Sequence, residues 1–193
     1  MKLSAVFLST ILLCGTLGAN VPSLVEKGYD KCHHAVYGQI VPDIENGTIP
    51  VDSEKLFTVP LGKSVGPLRK ITFNPQEYSF TIRHTGTYVM HYSVNVLGEV
   101  PETPSGPTFL LAGVSINDNE TPENAVIIPM NETEFLAPNT LMGVAQGALL
   151  ANLRKGDTVS LMAAVLGTDN PYIFNTEGIG GTYLTIHKAE TNK

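Results

Sequence analysis

The chain has 193 residues, a formal net charge of −6, only 16% charged residues and a slightly positive mean hydropathy. An acidic chain without a basic cluster repels phosphate backbones, which argues against nucleic acid as a partner. The length suits one domain plus a short extension, and the low charge fits a surface buried by self-association.

Residues 1–19 read as a signal peptide. Lys2 is the only charge before Glu26, residues 5–13 are almost wholly apolar, and small residues follow at Gly15, Gly18 and Ala19. Cleavage after Gly18 or Ala19 is expected, giving a protein that is secreted or displayed at the cell surface. The apolar run is too short to span a bilayer, and no transmembrane segment is expected after cleavage. Residues 20–55 carry Pro22, Pro42 and Pro50 with little periodicity and are expected to form an N-terminal extension or arm. Cys32 is the one cysteine left after cleavage, so its thiol is either free or a candidate for a disulfide between chains. Asn46, Asn119 and Asn131 each open an N-x-Thr pattern for N-glycosylation, the second weakened by Pro122.

From residue 56 to residue 193 the character changes. Short β-like runs at 56–59, 68–73, 77–83, 87–97, 108–116, 125–128, 142–153, 158–166 and 182–187 alternate with Gly, Pro and Asn turn signals. Many short strands with such punctuation predict an all-β, antiparallel sandwich or barrel. The 87–97 run is the clearest. Tyr88, Met90, Tyr92, Val94 and Val96 share one parity, while Val89, His91, Ser93, Asn95 and Leu97 share the other. One face should pack inward and the mixed face should meet a partner subunit or water. Near the end, two apolar runs meet at Lys155-Gly156-Asp157, which predicts a β-hairpin with Val159, Leu161, Ala163 and Val165 on one face. In the closing run Thr182, Leu184 and Ile186 alternate with Tyr183, Thr185 and His187, as expected of a strand covered on both sides.

These residues carry a resemblance. Tyr78-Ser79-Phe80-Thr81-Ile82, Thr85-Gly86-Thr87-Tyr88 and Tyr92-Ser93-Val94-Asn95-Val96 are similar to the core pattern of the C1q/tumour-necrosis-factor-like jelly rolls. The segment 149–161 resembles their penultimate hairpin, and Gly181-Thr182-Tyr183-Leu184-Thr185-Ile186 their closing strand. The nearest flavour is that of the C-terminal domains of BclA-type bacterial exosporium glycoproteins, without their collagen-like stem. The resemblance covers roughly residues 56–189 and implies a jelly-roll β-sandwich that assembles as a homotrimer. It places Tyr88, Tyr92 and Tyr183 near subunit contacts, where aromatic residues are enriched; the plainer alternative is that the tyrosines fill the sandwich. His91 and His187, spread across strands, read as strand or interface histidines and are grouped with the same contacts.

Catalytic patterns are missing: there is no Gly-x-Ser-x-Gly elbow, phosphate-binding loop, dinucleotide fingerprint or His-Glu-x-x-His. Cys32-His33-His34 has zinc-type ligands, but adjacent residues seldom share one tetrahedral ion. The 117–120 loop reads as a solvated acidic loop. No metal, cofactor or catalytic residue is assigned. The expected function is a secreted or surface-displayed homotrimeric module for binding or outer-layer structure, with a protein or glycan as its ligand. The alternatives are a carbohydrate-binding lectin or a polysaccharide-acting β-sandwich enzyme, although the chain has no tryptophan to stack on sugars. Should His91 and His187 meet between copies, protonation would set like charges together and weaken assembly.

Overall fold

Side-chain alternation decides the architecture. In β7 (Gly86–Glu99), Tyr88, Met90, Tyr92, Val94 and Val96 are all buried in the core. In β12 (Thr158–Leu166), Val159, Leu161, Ala163 and Val165 are fully buried, on the single face expected of them. Each apolar face needs an opposing one, and two stacked antiparallel sheets supply it. The computed structural model describes residues 37–43, 48–65, 68–102, 106–133, 139–174 and 181–189, all within the unit Ala35–Lys193.

The first sheet runs β10 (Asn131–Thr133), β11 (Thr140–Leu153), β7, β14 (Tyr183–Lys188), β1 (Tyr37–Val41) and β4 (Lys63–Ser64). Strand β13 (Asp169–Phe174) also pairs with β7, and β2 (Thr48–Pro50) with β13. The second sheet runs β5 (Ile71–Asn74), β6 (Ser79–Ile82), β12, β8 (Phe109–Ile116) and β9 (Glu123–Pro129), with β3 (Leu56–Thr58) beside β12. The chain is thus an all-β antiparallel two-sheet sandwich. Between the sheets, Tyr88, Met90, Tyr92, Leu184 and Ile186 meet Phe80, Ile82, Leu110, Val114 and Leu161. Each such buried side chain contributes about 1.5–3 kcal/mol by leaving water.

Two expectations are corrected. First, the sandwich begins before residue 56. Strands β1 and β2 come from the stretch assigned to an arm, and β1 lies inside the first sheet, bonded to β14 on one side and β4 on the other. Gly38 in β1 is not a breaker: it sits in a tight spot where a Cβ would run into the Ile71 side chain, with Leu68 and Phe80 beside it. Second, the turn at Lys155-Gly156-Asp157 forms but does not make a hairpin. Strand β11 pairs with β7 and β10 in the first sheet, whereas β12 pairs with β3, β6 and β8 in the second. The connection is an arch between sheets. Gly156 takes φ +100, the Asp157 amide donates to the Arg154 carbonyl, and the Arg154 amide donates to Asp157 Oδ2 at 2.7 Å. The turn's other donors go elsewhere: Gly156 N–H to the Ile82 carbonyl and Lys155 N–H to Thr85 Oγ1. With those groups satisfied at the end of β6, nothing requires β11 and β12 to bond each other.

Tyr92 ties the layers together. Its hydroxyl leaves the first sheet and donates to the Asn124 carbonyl at 2.8 Å, with the Ala112 carbonyl at 3.3 Å, both in the second. Asn124 has φ +50 near a register shift between β8 and β9, and its side-chain amide donates back to the Ala148 carbonyl of β11. Gly147 faces Tyr92 across the ladder, and a Cβ on Gly147 would lie 2.3 Å from the phenolic oxygen. We expect Gly147→Ala to cost about 1–3 kcal/mol through overpacking. Urea denaturation checks this; an unchanged midpoint would show that the ring can move aside.

Candidate self-association face

The outward face of the first sheet is built from the strand positions that do not enter the core. Register sets its rows. Across β11, β7, β14 and β1, one row reads Leu150, Val89, His187 and Tyr37. The next reads Ala148, His91, Thr185 and Gln39. A third reads Gln146, Ser93 and Tyr183, with Ser93 already buried within the protomer. None of these residues is Asp, Glu, Lys or Arg. Leu150 is 66% exposed, which is unusual for leucine on a regular strand. The cations Arg69 and Lys63 sit at the margin, paired opposite Tyr37 and Val41. A patch depleted of charge at its centre with charge at its rim has the composition of a protein–protein interface.

His91 and His187 lie in the middle of this face. Their rings stack with centroids 5.7 Å apart and planes at 16°. Position 91 on β7 and position 187 on β14 are diagonal neighbours across one ladder, which brings side chains of this length into contact. Burial first, then the neighbouring His91, holds His187 below its ordinary value of 6.5. The folded state therefore binds fewer protons here than the unfolded chain does. Stability associated with His187 is fully present above about pH 6.5 and is lost as pH falls below it, towards the depressed folded value. The thermal midpoint should drop between about pH 7.5 and about pH 5.5, and His187→Gln should flatten that drop. A slope identical in the variant would assign the pH dependence elsewhere.

The sequence-derived interface residues divide. His91, Tyr183 and His187 are on this face. Tyr88 and Tyr92 are not, and their placement near subunit contacts is corrected: both are core residues, 0% and 1% exposed. Their hydroxyls are satisfied internally, Tyr88 donating to the His84 carbonyl at 2.6 Å and Tyr92 to Asn124. Burial pushes both phenols above their ordinary range. The face also contains residues not singled out from sequence: Leu150, Ala148 and Gln146 of β11, whose charge-free even positions were readable, and Tyr37 and Gln39 of β1. Asn119 and Asn131 are exposed. The Asn119 side chain accepts from the Thr121 amide at 3.2 Å, and Asn131 lies on β10 at the sheet edge. In the acidic loop, Asn117 donates to Asp157 Oδ1 and accepts from the Thr158 amide, so its side chain pins the loop to the arch. The signal peptide, Cys32 with His33 and His34, and Asn46 lie outside the described residues.

No protein-family model and no curated protein sequence matches the chain. Among solved structures it is similar to Eiger TNF from S. frugiperda, with a TM-score of 0.52 and 13% identity over 82% of this chain and 95% of that one. The fold is a TNF-like jelly roll. Within this TNF-like frame the charge-free face is one whole side of the sheet that holds β1, β7, β11 and β14.

Proposed function

We propose that the chain is a secreted or surface-displayed homotrimeric module that binds a partner or builds an outer layer and carries out no catalysis. The uncharged outward face of the first sheet carries this reading. A surface of this kind is covered most simply by identical copies, and a ring of three closes head to tail so that every copy uses the same pair of patches. The TNF-like fold supports the trimer, and the apolar stretch after Lys2 supports export. The finer likeness to BclA-type domains rests on the closing strand and its Gly-rich approach. Export would let the Cys32 thiol form a disulfide between copies. Sedimentation at micromolar concentration tests the reading: three protomer masses are expected, with a covalent contribution that reductant removes. A single protomer mass would refute it.

A further inference from the structure

We propose that the stacked His91–His187 pair makes the association acid-labile: copies hold together through the neutral face and are pushed apart when the two imidazoles take up protons. This rests on the self-association reading above.

The setting of the pair gives the reason. The rings touch within one protomer, so each copy brings its own pair into the contact, whatever meets it. From β11 the neighbours are Ala148 and Leu150, and from β7 Val89. Strand β14 adds Thr185 and Tyr183, and β1 adds Gln39 and Tyr37. The titratable neighbours are thus two tyrosines, Tyr37 and Tyr183. Beyond them the nearest charges by register are Arg69 past Tyr37 and Lys63 past Val41, both positive. Lys188 follows His187 but turns away, its Nζ donating to the Thr85 carbonyl at 2.8 Å. Among the described residues no carboxylate occupies the three rows. A proton arriving here meets, among the described residues, a second imidazole and distant cations, with no carboxylate in these rows to hold it. Covering the face with another copy removes water as well, and desolvation disfavours the charged ring further. The bound state therefore takes up protons less readily than the free one, and by linkage protons favour dissociation.

The test is oligomeric mass by sedimentation of the full chain at neutral and at mildly acidic pH. It compares the wild type with a His91→Gln, His187→Gln double variant. The wild type should dissociate in acid, its dissociation constant rising by about tenfold or more, as one displaced titration implies. The double variant should keep its mass at both pH values. A wild-type mass that does not change with pH overturns the switch alone, as does equal acid dissociation of the double variant. Protomer mass at neutral pH overturns the self-association reading and the switch together. Because the double variant touches a half-buried position, the single variant His91→Gln, altered at an exposed site, gives a second readout. Imidazole NMR should show the His187 titration moving upward once its neighbour's charge is removed. An unmoved titration would show that the rings do not act as a pair.

Discussion

Replacing Tyr92 by alanine should cost about 3–5 kcal/mol and lower the thermal midpoint by roughly 6–20 °C. Tyr92 is among the largest fully buried side chains. Its ring fills the space above Gly147, and its hydroxyl is bonded to carbonyls of the opposite sheet. Truncation removes the ring, leaves a cavity that the β7–β11 ladder cannot collapse, and strips the Asn124 carbonyl of its buried donor. Tyr92→Phe isolates the last effect and should cost about 1–2 kcal/mol, the usual consequence of an orphaned buried group. The loss should not depend on protein concentration, because the ring serves the protomer's core. A midpoint that rose with concentration in the wild type but not in the variant would return Tyr92 to a subunit contact. A loss below about 0.5 kcal/mol, the range of surface substitutions, would show that the core does not rely on it.

Leu150→Glu should have the opposite profile. Leu150 is 66% exposed in the protomer, so the fold should change by no more than about 0.5 kcal/mol. Association should weaken by about a hundredfold or more, since a carboxylate would be desolvated without a partner beside Val89 and Ala148. Sedimentation reads the second quantity and thermal melting the first. An unchanged association constant would mean that copies meet through another surface. A large loss of fold stability would mean that Leu150 belongs to the core after all. Together the tyrosine and leucine variants separate the two faces of one sheet.

Much of the fold was legible because alternation is a local property. Every strand-like run named from residue 56 onward appears as a strand, and the inward parities of β7 and β12 match the core; of the other set named in β7, only Val89 and His91 are open, because Ser93, Asn95 and Leu97 are buried within the protomer. The strands that escaped notice are short or interrupted. Strand β4 has two residues, β2 contains Pro50 and β13 contains Pro171. In β1, Gly38 conceals an alternation in which Ile40 points inward. The arch at Gly156 was misread for a different reason: turn chemistry is local, but the choice of which strand to bond is made by residues far away.

The face was half legible. Parity already placed Tyr88 and Tyr92 with Met90, Val94 and Val96, and it should have outranked the general enrichment of aromatics at interfaces. What parity cannot reveal is where a phenol finds its acceptor, here the carbonyls of His84 and Asn124. His91, His187 and Tyr183 stand on the parity that does not enter the core. Their row partners on β11 and β1 needed the register, which follows from the pairing of whole strands and not from any short pattern.

Strand β14 is inserted between β1 and β7, with Gly38 opposite Ile186 and Tyr92 opposite Leu184. During synthesis the ribosome therefore releases both flanking strands long before their common neighbour emerges. For that interval each presents an open row of amide and carbonyl groups, a template for pairing with any other nascent chain. Removing residues 183–188 would make this transient hazard permanent, and the truncated product should be recovered in inclusion bodies.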